Sequence, residues 1–324
     1  MPILERIYSP PFLLKNPHLN TIVPNFLRSI SGISYQRERI ELPDSDFIDL
    51  DFSICNGGSE DLILILHGLE GNSQRAYAKS FVRESNSRGF DACVFNFRGC
   101  SGEMNRLWTS YHSGKTDDLK LVLQWIIERK IYKNIHLIGI SVGGNIALKY
   151  LGEEGSSLPS VLKSAVAVSA PIDLAASATE LAKARNRIYM YRFLRSLKQK
   201  TINKMKIFPE KGIDITELNA CKNFRNFDDL FTAPSHGYKN AEDYWAKNSS
   251  KKFINEIKLP SMLITASDDP FLNTSCFPID EAKSNSNFHF LFSKFGGHVG
   301  FMKSWPLSGP QYLEAEAFDF INSV

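Results

Sequence analysis

Six short apolar runs, interleaved with stretches of helical periodicity, constrain this chain more than any other feature. Residues 62–66 read LILIL, with no polar alternation. A strand so uniformly apolar must be covered on both faces, as in a parallel sheet packed between helices. Comparable runs recur at 90–97 (FDACVFNF), 135–140, 165–168 (AVAV), 262–265 (MLIT) and 288–292 (FHFLF). Between them, 76–88 and 116–129 read as helices, the second with Leu119, Val122, Leu123 and Ile126 on one stripe. Residues 145–151 fall in another helix, and a last one is expected near 313–321. Repeated strand-then-helix order predicts an α/β fold with a mostly parallel central sheet. Right-handed crossovers place helices on both faces.

Two segments break the rhythm. Residues 1–58 predict a proline-broken lead-in and an edge hairpin with arms 37–42 and 47–54, turning at Pro43-Asp44-Ser45-Asp46. Residues 171–256 look helical and irregular, and core strands adjoin both ends. They read as a helical cap inserted into a core of residues 59–170 and 257–324. Composition agrees with a folded chain: 43% hydrophobic and 23% charged residues over 324 positions exclude a disordered or fibrous protein. No apolar run approaches the ~18–20 residues that span a bilayer. The N-terminus lacks the basic start and apolar middle of a signal peptide. Five cysteines, odd in number and without C-x-x-C spacing, suggest free thiols in a reducing compartment. A cytoplasmic location is the resulting expectation.

The sharpest local signal is Gly139-Ile140-Ser141-Val142-Gly143, a G-x-S-x-G between the strand IHLIGI and the helix GNIALKYL. In that context the pattern has a mechanical meaning. Glycines on either side let strand and helix pass closely, pushing the serine hydroxyl out at the strand's end. The helix start presents free N–H groups and a partial positive charge. Ser141 is therefore the candidate nucleophile, with the Val142 N–H as half of an oxyanion hole. A serine needs a base. His298, in Gly296-Gly297-His298-Val299-Gly300 after the last strand, is the candidate. A carboxylate should orient its ring. Asp268 and Asp269 follow the strand MLIT, and position alone leaves both open. The loop His67-Gly68-Leu69-Glu70-Gly71 supplies the Leu69 N–H as second oxyanion donor, with His67 pinning the loop rather than acting as base.

With these residues in place, the chain resembles the α/β-hydrolase superfamily, and within it the YheT-like branch (the AB hydrolase 4 family). The resemblance runs through NPHLNT at 16–21, HGLEGNSQRAY at 67–77, NFRGCSGEMNR at 96–106, YHSG at 111–114 and GISVGGN at 139–145. It continues through FDDLFTAPSHGY at 227–238, DDPF at 268–271 and GGHVGF at 296–301. It implies a serine hydrolase acting on carboxylic esters, with the acid at the second aspartate, Asp269. The expected order is then Ser141, Asp269, His298. Activity would require neutral His298 and so fall at acidic pH. The expected substrates are short-chain or lipid-like acyl esters. Transfer of the acyl group to another acceptor, or binding without catalysis, are the alternatives on the same fold.

Between Leu181 and Pro209 lie nine basic residues and no acidic one. Leu181, Ala184, Ile188, Tyr191, Leu194 and Leu197 suggest an apolar stripe facing the core, with the basic residues on a solvated face. Peripheral contact with a membrane through this helix is compatible with the pattern; no nucleic-acid motif accompanies it. Tyr189, Tyr191, Phe193, Phe224, Phe227, Tyr244 and Trp245 are candidate linings of an acyl pocket. Cys100, in Arg98-Gly99-Cys100-Ser101-Gly102, and the pair His112-Ser113 read as structural. Neither metal-ligand spacing nor a G-x-G-x-x-G or P-loop is present, so no metal or nucleotide cofactor is expected.

Overall fold

Nine strands form one sheet in a computed structural model that describes residues 3, 4, 6, 8–304, 309 and 311–324. In chain order they are β1 (Ile3–Leu4), β2 (Gln36–Glu41), β3 (Phe47–Ser53), β4 (Asp61–Leu66), β5 (Asp91–Asn96), β6 (Asn134–Ile140), β7 (Leu162–Val168), β8 (Ser261–Ala266) and β9 (Phe288–Ser293). Their spatial order is β1-β9-β8-β7-β6-β4-β5-β3-β2. All pairings are parallel except β5 with β3 and β3 with β2. The expected hairpin is therefore the antiparallel edge. The two-residue β1 opposite it is too short to register as a sequence pattern.

The sheet is covered on both faces, which explains the uninterrupted apolar runs. Leu62, Leu64 and Leu66 of β4 join a core with Leu119 and Val122 of one helix and Ile146 of another. Ile63 and Ile65 point the other way, into a core with Phe81, Val82, Leu313 and Phe318. The helices are α1 (Pro17–Leu27), α2 (Ala76–Ser87), α3 (Thr116–Glu128), α4 (Val142–Glu154), α5 (Leu174–Leu181) and α6 (Arg187–Ile207), followed by several short helices of eight residues or fewer and a terminal helix, Tyr312–Ile321. None of the described helices is long and apolar enough to cross a membrane.

The edge hairpin buries charge by pairing it. Arg37 stands opposite Asp51 and Arg39 opposite Asp49. Each guanidinium grips its carboxylate with two bonds of 2.7–2.9 Å, the geometry that best offsets desolvation. Arg98, buried, does the same for Asp118 at the start of α3 and reaches Asp46 in the hairpin turn.

Residues 171–256 run between β7 and β8. Here the basic stretch departs from expectation. The chain breaks after α5, turns through 182–186, and restarts as α6, so the helical phase resets. Ala184 is exposed, and Ile188 and Tyr191 are each 68% exposed. The inward face is instead Tyr189, Met190, Phe193, Leu194 and Leu197, followed by Lys200, Thr201 and Lys204. The basic face is not wholly solvated either. Lys204 is buried and donates to the Asn105 and Leu107 carbonyls, and burial pushes its ammonium down to about 8.

Candidate active site

Ser141 sits between β6 and α4 with φ 52° and ψ −118°, a strained position for a residue with a side chain. Its own N–H is tied to the Val168 carbonyl of β7 at 2.8 Å, and its carbonyl accepts from Gly144 and Asn145. The turn depends on missing side chains. A Cβ on Gly139 would lie 2.5 Å from the Gly143 carbonyl oxygen, and one on Gly143 would lie 2.3 Å from that of Leu66. Only bare backbone lets β4, β6 and α4 meet this closely.

The Ser141 hydroxyl lies 3.0 Å from His298 Nε2. On the far side of the ring, Nδ1 lies 2.9 and 3.1 Å from the two oxygens of Asp269. The Asp269 side chain is fully buried, and its Oδ1 also accepts the Phe271 N–H at 2.8 Å. Asp268 points elsewhere: its Oδ1 accepts the Gly297 N–H, and burial pushes its carboxyl up to about 6. The two neighbouring acids thus divide, Asp269 facing the ring and Asp268 the loop that carries it.

That loop is held by the N-terminal segment. The His298 N–H donates to Thr21 Oγ1 at 2.8 Å, and Thr21 in turn donates to Pro17. Gly297, at φ 58°, has the Pro17 carbonyl and Thr21 where a Cβ would stand. Phe271 closes the other face, its ring 4.1 Å from that of His298. Neither Thr21 nor Phe271 is a site candidate from sequence. Thr21 does fall in the NPHLNT motif, and this contact gives that motif a physical role.

Opposite the hydroxyl, Gly68 N–H donates to Tyr77 Oη, Glu70 N–H to Tyr111 Oη and Gly71 N–H to the Gly68 carbonyl. Among the described residues the N–H groups of Leu69 and Val142 have no such partner, and both residues border the cavity at Ser141. His67 is fully buried. Its Nδ1 donates to the Gly68 carbonyl and its Nε2 accepts from Phe97 N–H, and burial pushes the ring down to about 3. A ring so fixed and kept neutral is a brace for the loop.

Glu70 has a role that the loop motif does not signal. Its φ is 54°, and its nearly buried carboxylate accepts from Tyr111 (3.0 Å), Ser196 (2.5 Å) and Lys200 (2.8 Å). Ser196 and Lys200 belong to α6, so Glu70 fastens α6 to the loop that carries Leu69. Burial alone would lower the Lys200 ammonium, but Cys100 and Glu70 beside it hold it above its usual value. Cys100 itself is pushed up to about 11 by burial, which leaves an unreactive thiol. His112 and Ser113 also act structurally: His112 Nδ1 accepts from Gly114, and Ser113 is bonded through its backbone to Tyr244 and Asn145.

Two cavities meet at Ser141 and His298. One, of about 130 Å³, lies against α5 and α6 and is lined by Leu174, Leu181, Leu197, Phe224, Phe227 and Phe231, among others. No lining residue is exposed, so this is an inner chamber. Its far wall holds His112, His236 and Asp228. Burial pushes the His236 ring down to about 4 and the Asp228 carboxyl up to about 7, so burial favours the uncharged form of each. The second cavity, of about 240 Å³, runs between α1 and α6 and reaches solvent at the exposed Asn25, Arg75 and Arg192. Of the expected aromatic linings, Phe193, Phe224, Phe227, Tyr244 and Trp245 border the inner chamber and Tyr189 the outer cavity, whereas Tyr191 points to solvent. Among the described residues no cluster of His, Cys, Asp or Glu could hold a metal ion.

The family model described as "alpha/beta hydrolase fold" matches residues 61–303, three quarters of the chain and all of the strands from β4 to β9. The chain belongs to the α/β-hydrolase family. Its relatives include YheT of Escherichia coli (strain K12), provisionally named an esterase, 34% identical over 95% of this chain and 91% of that protein. Human "Phospholipase ABHD3" is 29% identical over the whole of this chain and 80% of its own length. A "Monoacylglycerol lipase" of Saccharomyces cerevisiae is 30% identical over 90% of this chain and 69% of its own. Among solved structures, the Pyrococcus furiosus esterase Pf2001 superposes with a TM-score of 0.60 at 17% identity, covering 98% of both chains. That likeness speaks to the fold alone. These relatives agree with the YheT-like branch inferred from the motifs.

Proposed function

We propose that this protein is a serine hydrolase that cleaves carboxylic esters through an acyl-enzyme on Ser141. The observation that carries the reading is the unbroken line from Ser141 Oγ through His298 to the buried Asp269, with steps of 3.0 and 2.9 Å. Asp269 keeps the ring proton on Nδ1 and so leaves Nε2 free to accept the Ser141 proton. The hydroxyl then attacks the ester carbonyl. The oxyanion that forms takes hydrogen bonds from the Leu69 and Val142 N–H groups, supported by the start of α4. The imidazolium returns its proton to the departing alcohol. Water, activated by the same ring, releases the acid.

The inner chamber suits the acyl chain, because much of its wall is apolar and none of its lining residues is exposed. The outer cavity suits the alcohol part, because it reaches solvent at a rim that carries Arg75 and Arg192. The phospholipase and monoacylglycerol lipase among the relatives favour a lipid-like ester over a water-borne one. Residues 171–256 then act as a cap over a core of 59–170 and 257–324. The test is Ser141→Ala against short p-nitrophenyl esters, with a fluorophosphonate probe alongside. Hydrolysis should disappear and labelling should move from Ser141 to nothing. Unchanged turnover, or labelling of another residue in the parent protein, would remove the proposal.

A further inference from the structure

The outer cavity opens through an unusual piece of surface. The six most exposed large apolar side chains among the described residues are Phe12, Leu13, Phe26, Leu27, Ile188 and Tyr191, each 63–83% exposed. All six lie on two segments, 12–27 and α6. These segments touch: His18 Nδ1 is 3.1 Å from Tyr189 Oη, and the Arg192 guanidinium lies 5.9 Å from the centre of the Phe26 ring. Between them runs the cavity that ends at Ser141.

The charge carried by the two segments themselves is of one sign. From Arg6 to Arg37 and from Leu181 to Pro209 the sequence contains no Asp or Glu. Lys15, Arg187, Arg192 and Arg195 are exposed. On α6, residues 187, 188, 191, 192 and 195 fall on one face by helical spacing, so arginines and apolar side chains share it. Clustered exposed apolar side chains mark a surface made for a partner. Basic side chains among aromatic and aliphatic ones, on a helix lying along the surface, match an anionic lipid interface.

We propose that the face formed by residues 12–27 and the outer side of α6 docks on an anionic lipid bilayer, placing the mouth of the outer cavity against the membrane. The inference rests on the ester-hydrolase reading by naming where its substrate is held. Phe12, Leu13, Phe26, Leu27, Ile188 and Tyr191 would enter the acyl boundary, while Lys15, Arg187, Arg192 and Arg195 meet lipid phosphates. An ester leaving the bilayer would then pass between α1 and α6 to Ser141 without crossing water.

The test is flotation with vesicles of phosphatidylcholine alone or mixed with phosphatidylglycerol, using Ser141→Ala so that binding is read without turnover. The protein should float with mixed vesicles and much less with the neutral ones. Phe12→Ser/Phe26→Ser should weaken binding at least tenfold. Arg187→Gln/Arg195→Gln should weaken it about 25-fold, near fivefold per charge, and reduce the preference for anionic vesicles. Ile131→Ser, exposed elsewhere, should change nothing. The Phe12/Phe26 variant in the active background should hydrolyse soluble short esters at the parental rate, which shows that it folds. No flotation, or flotation indifferent to these substitutions, overturns the docking face. So does a self-associated protein that the Phe12/Phe26 variant converts to monomer, since the patch would then be a protein interface. An inactive protein that still floats would sink the hydrolase reading and leave the surface standing; an active one that never floats would do the reverse.

Discussion

Asp269→Asn is the substitution whose outcome the geometry constrains most tightly. Oδ1 of Asp269 accepts the Phe271 N–H at 2.8 Å, and Oδ2 faces His298 Nδ1 at 2.9 Å. An asparagine has one acceptor and one donor end. If its oxygen stays with Phe271, its NH2 points at Nδ1, which must then accept. The ring proton moves to Nε2 and is aimed at Ser141, so the base is lost. If the amide flips, the ring is restored, but a buried Phe271 N–H faces a donor at a cost of ~1–3 kcal/mol. In either orientation the charge-assisted bond to the imidazolium is gone, worth a further ~1.5–3 kcal/mol. Together these terms come to roughly 3–6 kcal/mol, or about 10²–10⁴ in rate at 1.36 kcal/mol per decade. The assay is kcat/KM on a short p-nitrophenyl ester, with circular dichroism to confirm the fold. Asp268→Asn, whose side chain faces the Gly297 N–H and not the ring, should stay within about threefold of the parent. If Asp269→Asn costs less than tenfold, or Asp268→Asn costs more than it, the relay argument fails.

Gly143 of the elbow and the first aspartate, Asp268, give two further tests. Gly143→Ala places a Cβ 2.3 Å from the Leu66 carbonyl and 2.7 Å from that of His67, with only backbone to yield; the overpacking should cost about 2–3 kcal/mol. Thermal melting should show a fall of several degrees. Turnover should drop at least 100-fold because Leu69 and Val142 separate, and a variant of parental stability and rate would refute the close-packing account. Asp268 carries a carboxyl raised from 3.8 to about 6, chiefly by burial. Such a group contributes stability that is present below about pH 4 and lost as pH rises through 6. Asp268→Asn should therefore raise the melting temperature more at pH 8 than at pH 4. An equal change at both pH values would show that the carboxyl does not titrate as described.

Much of the fold was legible because parallel strands covered on both faces have no alternation to confuse, so LILIL and AVAV mark the sheet directly. The elbow was legible because its glycines are dictated by backbone collision. By position alone the carboxylate that faces His298 was legible only to within one residue, and the resemblance pointed to Asp269. Asp268 and Asp269 share a strand end and a composition, and which one turns to His298 is decided by Phe271 N–H on one side and Gly297 N–H on the other. The role of Thr21 escaped, although the residue lies in the NPHLNT motif: its contact with the His298 backbone closes over 277 residues, and nothing local marks a threonine as a buttress. The edge β1 escaped for the opposite reason, being two residues long.

The basic stretch shows how a correct composition can lead to a wrong face. Nine cations without an acid suggest one charged side and one apolar side, but the turn at 182–186 shifts the phase and splits the cations between two tasks. Lys200 and Lys204 turn inward, to Glu70 and to the Asn105 and Leu107 carbonyls. Their long stems let an ammonium reach from α6 to polar groups on the loops that follow β4 and β5. Arg187, Arg192 and Arg195 remain outside, beside Ile188 and Tyr191. Glu70 is the hinge of this division, since it adjoins Leu69 and holds α6. A movement of α6 at the outer surface would therefore be felt at the loop that carries Leu69 through Lys200 and Ser196, two bonds of 2.8 and 2.5 Å. The helix that faces outward with arginines thus grips the Leu69 loop from within by Lys200, and one sequence run serves both ends of the cavity.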